Sequence, residues 1–349
     1  MRSGGNPQMR ALRIVAEKQV IVRDRPRPVP GEGEVLIKVR ASGICGSDLH
    51  PYRHPTPGHL TQDFIPGHEP AGDIVEVGPG VAGWSVGDRV VVYFRRTCGE
   101  CINCRTGRSE ICFHRMGSYG HLNGYDGSDA EFMAVHTRCL LQLPEYLSYV
   151  EGAIIACQAG TAYWPLKRLG VSGRDTLVVS GLGPVGLLAI LFAKPMGAHI
   201  VGVDPSAGRR EIAASLGADH TIDPTAGPVG EQIQAIVPER GTCLIETSGS
   251  SAAHAVIGEL VRAGGTAAIV GLGNPEFKMP MMMLAHRELT VFGSSIYPDT
   301  MFAEICTFIR DRGVKLERVV SHYMPLEKGP EAFQIAEQAT SGKVCFTFD

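Results

Sequence analysis

The sequence predicts an α/β protein in two parts, an irregular β-rich portion followed by a doubly wound parallel sheet. Three observations carry that expectation. Branched apolar and polar residues alternate from Ala11 to Arg23 and again from Glu34 to Ser42, with Pro26, Pro28, Pro30, Gly31 and Gly33 as turn residues between. From about Gly160 the pattern changes to short apolar runs separated by amphipathic helical stretches. The first of those runs, Thr176 to Ser180, leads straight into Gly181-Leu182-Gly183-Pro184-Val185-Gly186 and an apolar helix from Leu187 to Ala193.

The 349 residues suffice for two domains with sizeable cores, and 44% hydrophobic with 20% charged residues is ordinary for a globular chain. A formal charge of −3 gives no field that would draw in nucleic acid or an anionic membrane, so neither is an expected partner. No apolar run approaches the roughly 18 residues of a spanning helix, and Met1 to Arg10 lacks a signal-type apolar segment, which places the expectation in the cytoplasm. Ten cysteines without an export signal read as metal ligands and buried thiols rather than disulfides. The Gly/Pro-containing leader Met1 to Gln8 is expected to fray, with the fold starting near Met9.

Further short strands are expected at Gly72 to Val77, Asp88 to Phe94 and Ala130 to Leu143. Between them stand Cys98, Cys101, Cys104 and Cys112. Thiolates so close repel unless a cation neutralises them, and four sulfurs suit tetrahedral zinc with no position left for substrate, a structural site. The loop from Ser118 to Gly127, rich in glycine and aromatic residues, faces either a pocket or a neighbouring subunit. Six strands are expected in the parallel sheet: Thr176 to Ser180, His199 to Asp204, His220 to Asp223, Cys243 to Thr247, Thr266 to Gly271 and Leu289 to Gly293. The glycines of Gly181, Gly183 and Gly186 let a pyrophosphate approach the N-terminus of the following helix, and Asp204, ending the next strand, is placed to accept hydrogen bonds from ribose hydroxyls. That combination predicts NAD. Pro195 should end or kink the helix. A helix at Met301 to Arg310, a strand at Val319 to Tyr323, a helix at Gly329 to Ala339 and a strand at Val344 to Phe348 complete the chain.

Gly67-His68-Glu69-Pro70-Ala71-Gly72, followed by Gly78 and Val81, is the stretch on which the functional reading turns. Cys45, His68 and Cys157 supply a Cys2His set of the kind that holds catalytic zinc with one position open, although three scattered residues do not by themselves make a site. The motif resembles the signature of the zinc-dependent alcohol dehydrogenases of the medium-chain dehydrogenase/reductase superfamily, and the other blocks of the chain follow that family's order.

The resemblance implies a chaperonin-10-like (GroES-like) catalytic domain from 9–158 and 295–349, with a structural zinc lobe at 95–115, and a Rossmann domain from 159–294. It implies two zinc ions per chain, with Cys45, His68 and Cys157 on the catalytic one, Glu69 close enough to exchange onto it, and Asp48 orienting His68. It also implies a proton relay through Ser47 and His50, whose imidazole has a suitable unperturbed pKa. Thr161, Pro184, Val185, Arg209, Val270, Gly271 and Leu272 join the glycines and Asp204 as cofactor contacts, and Phe94 and Trp164 are candidates for the substrate wall. The expected reaction is hydride transfer between NAD(H) and an alcohol and its ketone or aldehyde, with zinc as Lewis acid. The expected assembly is a homodimer or homotetramer.

Ala156-Cys157 departs from the polyol and threonine dehydrogenases, which carry an acidic residue near this point; that argues against a sorbitol-type enzyme without naming the substrate, and the expected substrate is a secondary or medium-sized alcohol, with a polyol, sugar or threonine as the alternative. Two further readings stay open. A zinc-free NADPH reductase has no use for these cysteines, and a zinc-stabilised nucleotide-binding protein would show no turnover.

Overall fold

Strand β1 (Gln8–Ala16) pairs antiparallel with β2 (Gln19–Pro26) in a computed structural model that describes residues 7–122, 124–273, 276–277 and 279–349. The single alternating run expected from Ala11 to Arg23 is thus a hairpin. Its turn uses Lys18 at φ 55°, without the glycine or proline that would have marked it. Most of the leader, Met1 to Asn6, lies outside the described residues.

Alternation in β3 (Glu34–Gly43) buries Val35, Ile37, Val39 and Ala41 completely. Around it assemble β4 (Pro70–Val77), β5 (Arg89–Val92), β6 (Phe132–His136) and β7 (Leu140–Gln142). The expected run from Ala130 to Leu143 is broken by a tight turn at Thr137–Cys139, where the His136 side chain accepts from the Arg138 N–H.

The parallel sheet contains β8 (Thr176–Ser180), β9 (His199–Val203), β10 (His220–Ile222), β11 (Gly241–Glu246), β12 (Val261–Ile269) and β13 (Thr290–Gly293). Among the described residues its order is β10-β9-β8-β11-β12-β13, two mononucleotide halves whose connections diverge between β8 and β11. Such strands are covered on both faces, which is why they read as apolar runs. The helix Pro184–Met196 ends one residue past Pro195, with Gly197 in the left-handed region at its C-terminus.

Beyond β13 the chain returns to the first sheet as β14 (Val320–Met324) and β15 (Lys343–Thr347). Strand β15 lies between β14 and β3, parallel to the former and antiparallel to the latter, so residues near 343 enter the centre of the N-terminal structure. The two sheets are joined by a long helical segment. It starts at Tyr149–Ile154 under a capping box, in which Ser148 Oγ accepts from the Glu151 N–H at 3.1 Å and Glu151 Oε2 from the Ser148 N–H at 3.2 Å. It then widens into a π-helical turn at Ile155–Ala159 and resumes as Gly160–Leu169. One apolar cluster runs from Val35 and Val91 through Ile155 and Ala162 to Leu177 and Ile200, binding both sheets to this segment.

Candidate active site

Cys45 follows β3, His68 and Glu69 precede β4, and Cys157 sits in the π-helical turn, a distortion that recurs at functional sites. The fold brings the four together: their ligand atoms all lie within 4.8 Å of one another. His68 is 1% exposed and its Nδ1 donates to Asp48 Oδ1 at 2.9 Å, which turns Nε2 toward the cluster. Asp48 also accepts from the Cys45 N–H at 2.8 Å through Oδ2, and it makes no side-chain cap on the short helix it precedes. It therefore braces two of the candidate ligands. Ser47 Oγ lies 3.5 Å from His68 Nε2, while His50 is exposed one turn further on.

The electrostatics are those of a donor set built around a cation. A hydrogen bond from Cys157 pulls the Cys45 thiol well below its usual range, aided by His68, and the same bond with burial pushes Cys157 well above. Burial opposes a charge on His68, but Asp48 and the Cys45 thiolate outweigh it and hold its pKa well above normal. Glu69 is fully buried; Lys343 from β15 grips Oε2 and donates to the Ile44 carbonyl at 2.8 Å, while Glu69 Oε1 has no hydrogen-bond partner. An orphaned buried carboxylate oxygen beside two thiols and an imidazole nitrogen is a place for a divalent cation. Lys343 carried no signal in the sequence.

The ligand atoms of Cys98, Cys101, Cys104 and Cys112 also lie within 4.8 Å of one another. The N–H groups of Cys104 and Phe113 pull Cys101 down to about 6, whereas burial and Cys112 push Cys104 up to about 12, so the four do not ionise together without a cation. The donor set S4 suits zinc and closes the site. The remaining cysteines of the chain are likewise free thiols.

The glycine turn has the close packing that a dinucleotide site requires. A Cβ on Gly186 would meet the Gly181 carbonyl oxygen at 2.0 Å, and Gly181 takes φ +88° against Ser248, so the helix N-terminus comes down directly on the turn. Gly183 caps that helix and Pro184 fills its first position, beside Val185. Asp204 is 5% exposed, pinned by the N–H groups of Leu182 at 2.7 Å and Ser206 at 2.8 Å. Arg209 reaches toward the turn, its Nη1 3.9 Å from where a Gly183 Cβ would stand, and its Nε is buried without a partner. Val270 and Gly271 follow β12 and both donate their N–H to the Glu246 carbonyl; Gly271 meets the Ser248–Gly249 bend, which the Glu246 side chain holds through the N–H groups of both bend residues. Thr161 Oγ donates to the Cys157 carbonyl at 2.7 Å. Leu272 is 93% exposed.

Phe94 stands against His68, ring centroids 4.8 Å apart. Trp164 does not join it: Arg108 lies over its ring at 5.6 Å, beside the cysteine lobe. The loop left open in the sequence turns toward the cluster instead, placing the His121 ring 5.0 Å from that of His68. His121 has no ligand-like spacing in the sequence, and here it stands beside the His68 and Phe94 rings as a wall of the site rather than a ligand.

A nucleotide-type sheet joined through the Cys157 segment to a Cys2His cluster is the construction of a metal-assisted dehydrogenase. Two family models match the chain, the alcohol dehydrogenase GroES-like domain over residues 31–145 and the zinc-binding dehydrogenase domain over 184–311. An uncharacterised zinc-type alcohol dehydrogenase-like protein of Escherichia coli K12, YphC, is 33% identical over 97% of this chain and 99% of its own. A protein described as a candidate zinc-binding dehydrogenase of Sinorhizobium meliloti 1021, bound to NADP, superposes with a TM-score of 0.86 at 27% identity, covering 98% of this chain and 100% of its own. An Escherichia coli CFT073 alcohol dehydrogenase, rspB, complexed with NADH, gives 0.87 at 26% identity over 98% and 99% of the two chains. The chain belongs to the zinc-type alcohol dehydrogenase family of the medium-chain dehydrogenase/reductase superfamily. It is an oxidoreductase that moves a hydride between a nicotinamide cofactor and an alcohol/carbonyl pair. Among the described residues no helix is long and apolar enough to cross a membrane.

Proposed function

We propose that the chain is an NAD-dependent dehydrogenase of secondary or medium-sized alcohols, holding a catalytic zinc on Cys45, His68 and Cys157 and a structural zinc on Cys98, Cys101, Cys104 and Cys112. The observation that carries this reading is the convergence of Cys45, His68, Glu69 and Cys157 in one buried cluster with His68 oriented by Asp48. We divide the chain accordingly into a catalytic unit, 9–158 with 295–349, and a nucleotide unit, 159–294. All ten cysteines are free, which supports a cytoplasmic enzyme. Strand β13 is an open sheet edge preceded by a helix with exposed Met281 and Met282, which supports a homodimer or homotetramer.

When bound, zinc polarises the substrate oxygen as a Lewis acid and NAD accepts the hydride. The chain's residues do the rest. Asp48 fixes the tautomer of His68, and Phe94 covers the ring and excludes water. Ser47 Oγ receives the substrate proton as it releases its own hydroxyl proton toward the exposed His50, which passes one on to solvent. Arg209 and the helix N-terminus at Gly183 meet the pyrophosphate, Asp204 meets the adenosine ribose, and Thr161, Val270, Gly271 and Leu272 border the nicotinamide.

A panel of primary, secondary, cyclic and polyol alcohols scored by NADH absorbance tests the reading, together with metal content. Activity with about two zinc ions per chain is the expected result; one zinc and no turnover would leave a nucleotide-binding protein. Cofactor choice is a separate expectation. A fixed carboxylate favours the ribose hydroxyls and repels a 2′-phosphate, so wild type should prefer NAD. Asp204→Ala should narrow the ratio of kcat/KM for NAD to that for NADP on the order of tenfold, about 1.4 kcal/mol. A wild type that prefers NADP overturns the role given to Asp204, with Arg209 then the phosphate's partner.

A further inference from the structure

Glu246 ends β11 with a fully buried carboxylate that is met by donors on both oxygens. Oε1 accepts from the Ser248 N–H at 2.8 Å and from the Ser248 hydroxyl, the Gly249 N–H lies 3.1 Å from each oxygen, and His254 Nε2 stands 3.3 Å from Oε2. The bend held in this way is tightly packed. A Cβ on Gly181 would meet the Ser248 nitrogen at 2.7 Å, and one on Gly249 would meet the Gly273 nitrogen at 2.2 Å. The bend is therefore wedged between the glycine turn after β8 and the chain leaving β12, the two neighbours of β11 in the sheet.

His254 is 3% exposed on the short helix Ser251–Ala255, whose Ser250 cap accepts from the Ala253 N–H at 3.1 Å. The carboxylate beside it can only accept, so Nε2 carries a hydrogen. Among the described residues Nδ1 has no hydrogen-bond partner, although it is buried, and the ring packs against Phe277 with centroids 5.0 Å apart. An apolar side chain would fill this place without the cost of an unpaired ring nitrogen. What the imidazole adds is a donor to Glu246, among the described residues the one that comes to this carboxylate from outside the bend.

We propose that His254 is a positioning residue for the nicotinamide cofactor: it anchors Glu246, Glu246 fixes the Ser248–Gly249 bend, and the bend holds the glycine turn and the Gly271–Gly273 segment at the spacing the dinucleotide needs. The inference rests on the Gly181–Gly186 turn being the cofactor's seat. A bend already held in place loses less freedom when the cofactor binds, so loosening it weakens binding. The hydride step is left alone, because the hydrogen bond and the ring contact of His254 involve none of Cys45, His68 and Cys157.

The test compares zinc-loaded wild type, His254→Leu and His254→Gln by fluorescence titration with NADH and by steady-state kinetics with the alcohol best oxidised in the panel. Leucine fills the space and deletes the donor; glutamine carries an amide nitrogen to the place of Nε2. The dissociation constant for NADH and the KM for NAD should rise about tenfold in His254→Leu, with kcat within about twofold of wild type. Zinc content should not change, and His254→Gln should recover most of the lost affinity. A histidine that serves stability alone would give a lower thermal midpoint in His254→Leu with the dissociation constant unchanged, and that result overturns this inference alone. So does a His254→Gln that binds NADH no tighter than His254→Leu, or a fall in kcat with KM unchanged. If His254→Leu does not fold, His254→Phe takes its place, and a dissociation constant equal to that of wild type overturns the inference. A wild type that binds no NADH overturns the reading of the glycine turn and this inference with it.

Discussion

His68→Ala is expected to abolish alcohol-dependent NADH formation while leaving the fold and NAD binding intact, whereas Cys104→Ser is expected to lower stability and soluble yield. His68 is enclosed by Cys45, Phe94 and Asp48 and touches nothing in the parallel sheet's glycine turn, so its loss is local. Lewis-acid stabilisation of a developing alkoxide is worth several kcal/mol, so turnover should fall on the order of a thousandfold or more. Cys104 belongs to a lobe with little core of its own, where Ile102 and Phe113 are exposed. Metal affinity there is folding energy, and one lost thiolate costs several kcal/mol of it. The damage should spread, because Ser109 in the lobe donates to Asp299 at 2.7 Å and Arg95 to the Glu110 carbonyl at 2.9 Å. Zinc content, circular dichroism and thermal midpoints separate the two variants. Equal loss of fold from both would sink the division of roles.

Asp129→Asn is expected to flatten part of the protein's stability between about pH 4 and pH 7. Asp129 is 1% exposed; burial, then the nearby charge of Asp48, pushes its carboxyl up to about 7, against the opposing hydrogen bond from Ser42 at 2.9 Å. The folded state therefore holds a proton that the unfolded chain has already released. Stability from this group is complete below the unfolded value near 3.8 and is lost as pH rises toward 7. The loss amounts to on the order of 4 kcal/mol over that window. A cation in the neighbouring cluster would lower the upper limit of the window. Urea titrations of wild type and Asp129→Asn at intervals of pH give the difference; a gap between them that does not change with pH contradicts the assignment.

The parallel sheet was legible because its central strands β8, β9 and β11 are buried and read as apolar runs; β8 begins and ends where the alternation of runs and helices places it. The N-terminal hairpin was not, because Lys18 makes the turn with an ordinary residue at positive φ and the alternation continues across it. The four-cysteine lobe declares itself by spacing alone. The other centre does not: Cys45, His68 and Cys157 come from separate segments, and the π-helical turn that presents Cys157 leaves no mark in the sequence. Lys343 is buried opposite Glu69 through a pairing of distant strands, which no local pattern encodes. His121 and Asp129 are likewise defined by what folds against them.

Because β15 is inserted between β14 and β3, the centre is finished late in synthesis. Cys45, His68, Glu69 and Cys157 have all left the ribosome while the residues of the parallel sheet are still being added. At usual elongation rates roughly 10 to 40 s pass between Cys157 and Lys343. Until β15 is made, β3 lacks that neighbour and Glu69 has no ammonium against it. The arrival of Lys343 then neutralises the carboxylate and ties it to the Ile44 carbonyl, so Glu69 meets solvent on the growing polypeptide and is closed off in the finished fold.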